Sequence, residues 1–155
     1  MNTTDVEAFI RDERLAQTLR VWRSLCGNRF APRRDEIQPF DFRQMLGRLA
    51  LVDVLEGKSG DARYRYRLMG TQLVAQDTID LTGKTLCAYP IAEQRLIVRA
   101  NFDQVLETRK PVYREDTRQD GARNNTYARL VLPLSEDGEN VTGLMVGRVV
   151  LRRTD

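Results

Sequence analysis

The 155-residue chain contains no histidine, so it lacks the commonest general base and the commonest metal ligand. Serine-histidine and cysteine-histidine nucleophiles are excluded, as is a histidine-ligated haem. Cys26 and Cys87 lie far apart without a C-x-x-C spacing, which leaves no zinc or thioredoxin-like motif. Both thiols are expected to be reduced and partly buried. Only Lys84 lies near Cys87 to lower its thiol pKa, so a redox-sensing role for Cys87 is the weaker reading. Among the carboxylates, Asp53 and Asp77 are the candidates for a general base in a cone-shaped cavity, but no carboxylate pair is singled out by spacing.

Of the 25 basic residues, 22 are arginine. The guanidinium fork suits carboxylate and phosphate. Yet 22 acidic residues are interleaved with the basic ones and the net charge is only +3. A nucleic-acid footprint should be a segregated basic patch, so nucleic-acid binding is kept only as an alternative. In RYRYRLM the period of two sends Arg63, Arg65 and Arg67 outward, as a solvated face or a docking surface for an acidic partner, and leaves Tyr64, Tyr66 and Leu68 to wall a pocket. A buried phenol needs a hydrogen-bond partner, which makes Tyr66 and Tyr127 the places where a polar ligand could bind.

The elements that must position these residues follow from periodicity. Thr4 and Glu7 have capping-box spacing, and Leu15, Leu19, Trp22 and Cys26 form one apolar stripe on a helix that Gly27 can end. The stripe predicts packing on the domain's own sheet or, as a close second, on a second subunit, so Leu15, Leu19 and Trp22 are the candidate partner or dimer contacts. Residues 31 to 39 read as an extended connector and FDFRQML as a short helix. RLALVDVLEG and RYRYRLM are expected to pair as a hairpin across GKSGD. Gly70 then allows a turn and Thr71 caps a short helix, TQLVAQ. Asp80, Thr82 and Gly83 have turn chemistry, and Ile91 to Thr108 form the long helix. Three more strands follow around PVYREDT, NNTYARLVLPL and VTGLMVGRVVL. In the middle one Ala128, Leu130, Leu132 and Leu134 share a face despite Pro133.

The expected fold is therefore α+β: a five-stranded antiparallel sheet with short helices on one face and an N-terminal capping helix. A single core suffices at this length, divided into an N-terminal amphipathic helix over residues 1-30 and a core domain over residues 31-155. No stretch approaches a membrane span, the N-terminus has charges where a signal peptide needs an apolar run, and a cytoplasmic protein is expected.

This order resembles the PAS domain, the small sensory fold built as two strands, a helical middle and three strands, and in particular the short stand-alone PAS proteins of bacteria. The features that carry the resemblance are Trp22 with the connector Pro32 to Pro39, the strand end YRLMGT (Tyr66 to Thr71), DLTGKTL (Asp80 to Leu86) and LPLSEDG (Leu132 to Gly138). It implies a non-enzymatic signalling module that binds a small molecule or a protein. The cysteinyl-flavin subtype carries an asparagine-cysteine-arginine-phenylalanine motif in the helical middle, where this chain reads DTIDLTGKTLC, so that subtype is not expected and the cofactor is left unknown. The candidate pocket lining is Tyr66, Leu68, Leu73, Leu86, Phe102, Tyr127, Leu130, Leu132 and Met145. The resemblance also implies a signalling protein as partner, from a histidine kinase or cyclic-dinucleotide pathway, with a homodimer as a further expectation and the N-terminal helix as the output surface.

Overall fold

The computed structural model describes residues 4-154; Met1 to Thr3 and Asp155, the outer limits of the two expected segments, lie outside it. The N-terminal segment is two helices rather than one: α1 (Thr4–Phe9) and α2 (Glu13–Cys26). The break comes from Asp12, whose extended backbone and carboxylate cap α2 by accepting hydrogen bonds from the amides of Arg14 (2.8 Å) and Leu15 (3.4 Å). Gly27, at φ 60°, ends α2 as expected. The Thr4 side chain, on which the expected capping box rests, is outside the described residues.

The strands are β1 (Leu49–Val54), β2 (Tyr64–Met69), β3 (Val112–Asp120), β4 (Arg123–Leu134) and β5 (Gly143–Thr154). They form one antiparallel sheet in the order β2-β1-β5-β4-β3. Between β2 and β3 run α3 (Thr71–Asp77), a short 3-10 turn (Leu86–Ala88) and α4 (Ala92–Thr108). A 3-10 turn, Arg34–Glu36, interrupts the connector, which is less extended than its two prolines suggested, and the short helix expected over FDFRQML is present as a 3-10 helix, Pro39–Met45.

The sheet separates two apolar layers. On its inner face Tyr64, Tyr66, Val131 and Leu144 pack with Leu73 of α3, Leu86 of the 3-10 turn before α4, and Phe102 and Val105 of α4; on its outer face Leu15, Leu19, Trp22 and Cys26 of α2 pack with Ala128, Leu130, Leu132, Leu134, Met145 and Val149. Burial of each aliphatic side chain in either layer stabilises by roughly 1.5–3 kcal/mol. The Trp22 indole donates a hydrogen bond to the Pro133 carbonyl at 2.9 Å, fixing α2 on β4. Pro133 is tolerated there because the β3 ladder ends at the Val112–Val131 pair, leaving no strand on that side to need its missing N–H.

Gly70 precedes α3 for a steric reason and not for a special φ: a Cβ there would lie 2.3 Å from the Gly47 oxygen. Thr71 is not the cap of α3; Gly70 takes the N-cap position and no side chain bonds to the helix end. Cys26, the last residue of α2, is buried against the sheet, and desolvation pushes its thiol up to about 11, whereas Cys87 is exposed. About one Cys26 in a thousand is thiolate at pH 8. Iodoacetamide at that pH is expected to add one group to the native protein, at Cys87, and a second only in denaturant. Equal labelling of both thiols in the native state, read by mass spectrometry, would contradict this burial.

Candidate functional site

The inner face carries a buried polar cluster where β3, β4 and β5 pass under the end of α3. Arg148 in β5 and Arg129 in β4 are register partners, and Arg114 of β3 stands opposite Arg129 in the same row. Like charges directly opposite one another destabilise a sheet. Here Arg129 and Arg148 are also 5% and 7% exposed, so carboxylates must compensate them. Asp116 lies 3.2 Å from the Arg129 Nη1, which also donates to the Asn101 Oδ1 at 3.1 Å. Burial lowers the Arg129 pKa, with Asp116 opposing the shift.

Asp77, the last residue of α3, occupies the centre. Its Oδ1 accepts from the Arg148 Nη2 at 2.8 Å and the Arg118 Nη1 at 2.9 Å, and its Oδ2 from the Arg148 Nη1 at 3.2 Å. Its side chain is only 3% exposed. Three phenols complete the cluster. Arg118 donates to the Tyr127 hydroxyl (2.9 Å) and the Tyr89 hydroxyl (3.2 Å), and the Arg118 and Arg148 guanidiniums lie 4.5 and 5.0 Å from the Tyr127 ring centroid. Tyr66, 7% exposed, forms no hydrogen bond through its hydroxyl with any described residue. Desolvation raises its pKa, and Arg129, Asp77, Arg148 and Tyr89 all act on it electrostatically.

The nine expected lining residues divide between the faces. Tyr66, Leu73, Leu86 and Phe102 meet in the inner layer and Tyr127 joins the polar cluster. Leu130, Leu132 and Met145 belong to the outer layer under α2, because strand alternation puts Tyr127, Arg129 and Val131 on one side and Ala128, Leu130 and Leu132 on the other. Leu68 is 50% exposed. The register shifts between Leu51 and Val52, which face Leu68 and Tyr66, so Arg67 is the extra residue of a bulge and Leu68 turns outward. There it borders an apolar cavity of about 290 Å³ between the Pro39–Met45 turn and β1, which Met145 also lines. Leu15, Leu19 and Trp22 are 0%, 0% and 3% exposed, so their apolar faces are spent on the chain's own sheet and are not available to a partner while α2 is docked.

Of the two carboxylates weighed for acid-base chemistry, Asp53 pairs on the outer face with Arg65 (3.3 Å) and Arg67 (3.0 Å). Both oxygens of Asp77 accept hydrogen bonds from guanidiniums. The residues that sequence reasoning missed are Arg118, Arg129, Arg148 and Asn101. A signal was present: Arg129 and Arg148 each interrupt an apolar run long enough to be buried on both faces, where a lone charge needs a built partner.

A sheet in the order β2-β1-β5-β4-β3, with the helical middle over one face and a leading helix on the other, defines a small α+β module. The PAS domain family model matches residues 11–146. The chain belongs to the PAS domain family, whose members are sensory modules of signal transduction, generally without enzymatic activity. Among solved structures, a sensory box sensor histidine kinase from Vibrio cholerae aligns with a TM-score of 0.50 at 12% identity, over 92% of this chain and 99% of that one. A variant of the light-oxygen-voltage protein RsLOV aligns with a TM-score of 0.49 at 12% identity; it covers 68% of this chain, and this chain spans 61% of its length. A further light-oxygen-voltage domain, studied with a flavin analogue, gives 0.46 at 12% identity over 68% and 77% of the two chains. No curated protein matches the chain.

Proposed function

We propose that this PAS domain senses events at its inner-face cluster, by binding a small molecule there, and passes them through β5 to α2, which presents the signal to a partner protein. One observation supports this reading above the rest: consecutive residues of β5 meet the two layers. Arg148 holds Asp77 on the inner face, while Gly147 lies directly beneath α2, so close that a Cβ there would stand 3.1 Å from both the Leu15 Cδ2 and the Met45 Cε. A shift of β5 that relaxes the arginine cluster therefore moves the surface on which α2 rests. A ligand produces such a shift only through different affinities for the two positions of α2. The partner proposed is a signalling protein of the histidine kinase or cyclic-dinucleotide kind, and a second copy of the chain could present α2 to it as a dimer.

Hydrogen exchange of α2 tests the reading. In Arg148→Met the amides of Glu13–Cys26 are expected to exchange at least about fivefold faster than in wild type, the lower end of ordinary coupling between sites. Val105→Ala, an inner-layer change on α4 away from β5, serves as the control for general loosening. An α2 that responds no more to Arg148→Met than to Val105→Ala ends the proposal.

A further inference from the structure

We infer that the inner-face cluster is a binding site for a small organic carboxylate, with Asp77 as the resident competitor that an incoming carboxylate displaces. The inference deepens the sensory reading above and rests on it for its consequence, the response of α2.

Four observations carry it. Two donors in the cluster have no hydrogen-bond partner among the described residues: the Arg148 Nε, which is buried, and the hydroxyl of Tyr66, a residue that is 7% exposed. Buried donors without acceptors are rare in folded proteins, and each calls for an explanation, of which a bound acceptor is one. Next, the Arg129–Arg148 pair puts two buried guanidiniums opposite one another on neighbouring central strands, an arrangement that attracts anions beyond those the strands supply. The chemistry of the anion is given by Asp77, which lies across both Arg118 and Arg148: the cluster is dimensioned for a planar carboxylate, whose two oxygens match the guanidinium fork. Around it Tyr66, Tyr89 and Tyr127 supply ring surface for a short carbon chain.

A basic surface depression adjoins the cluster at Gln76. Gln76 accepts a hydrogen bond from the Arg148 Nη2 at 3.1 Å, and the same residue lines a depression of about 350 Å³ bordered by Arg14, Arg48, Arg152 and Arg153. Arg48, Arg152 and Arg153, beside an Arg14 that is paired with Asp12, raise the local concentration of anions. Thr78, the residue after Asp77, holds a left-handed backbone at φ 58° although it is not glycine, so the end of α3 carries local strain that the Asp77 ion pairs and the Thr78 amide bond to the Val74 oxygen hold in place. A carboxylate that takes over Arg148 frees that end.

Thermal unfolding of the full chain in carboxylate-free buffer at constant ionic strength tests this, with sodium succinate, acetate, sulfate and neutral succinamide as probes. Succinate and acetate are expected to raise the melting temperature beyond the sodium chloride control, by about 3 °C at ten times the dissociation constant, and succinamide is expected to do nothing. Tyr66→Phe should weaken succinate about tenfold, the effect of one lost buried hydrogen bond, and Asp77→Asn should tighten it by removing the competitor. Should Asp77→Asn fail to fold, wild type and Tyr66→Phe suffice. A wild-type melting temperature that moves no further with succinate than with sodium chloride overturns the assignment, as does sulfate acting as strongly as succinate or a Tyr66→Phe variant that binds like wild type. Succinate binding that leaves α2 exchange unchanged would keep the ligand class and remove the sensory reading; α2 responding to Arg148→Met in a chain that ignores succinate would do the reverse.

Discussion

Replacing Asp77 by alanine is expected to cost about 3–5 kcal/mol of folding stability, the loss typical when one partner of a buried ion pair is removed. The reason is the company it keeps. Asp77 is the carboxylate that both Arg118 and Arg148 approach within 2.9 Å, and Arg148 is 7% exposed. Without it Arg148 would hold a buried charge against the Arg129 guanidinium opposite, a cost that desolvation makes larger than the pair's own attraction. For a chain of this size the melting temperature should fall by roughly 10 °C. Arg148→Met in the same background should restore part of the loss, because the unpaired charge goes with it. Asp77→Ala melting within 2 °C or so of wild type would show that the cluster is solvated and not a buried network.

Gly70→Ala carries the second large effect. The added methyl would stand 2.3 Å from the Gly47 oxygen, 2.5 Å from the Gly47 carbon and 2.9 Å from the Leu49 oxygen, all backbone atoms. Those atoms cannot swing aside as a side-chain end can. The amide of Gly70 donates to the Leu49 oxygen, and the Gln72 amide to the Gly47 oxygen, both at 2.9 Å, so relief would break the bonds that join α3 to the start of β1. A loss of about 3 kcal/mol or more is expected, together with loosening of α3 and hence of Asp77. Gly147→Ala makes the useful contrast, since its contacts at 3.1 Å are the flexible ends of Leu15 and Met45, and the cost should be smaller. Urea unfolding of the two variants checks the order; equal midpoints would mean that the Gly47–Gly70 contact yields easily.

The fold was legible because its signals are local and repeated. The period of two in β2 and β4, the three- and four-residue steps of Leu15, Leu19, Trp22 and Cys26, and Gly27 as a helix stop each name an element without reference to the rest of the chain. Two kinds of feature were hidden. One is register: a single extra residue, Arg67, reverses the facing of Leu68, and nothing in YRYRLM announces a bulge that depends on how β1 lies beside it. The other is convergence. Asp77, Arg118, Arg129 and Arg148 come from α3, β3, β4 and β5, up to 71 residues apart, and no spacing rule joins them. Leu130 and Leu132 were placed on a shared face correctly, but which layer that face meets is decided by the sheet order and not by the strand. Asp12 could have been found, since an aspartate just before an apolar-periodic run is an ordinary helix start.

The most direct measurement is a double-mutant cycle across the sheet, with Arg148→Met on the inner face and Leu15→Ala on the outer. These side chains lie on opposite sides of β5 and share Gly147 as neighbour or contact. Independent sites add within about 0.3–0.5 kcal/mol. If β5 links the arginine cluster to α2, the two losses should depart from additivity by about 1 kcal/mol, because either change already relaxes the strand that the other would disturb. Strict additivity, in variants shown to be folded, would mean that the two layers are held by one sheet without speaking through it.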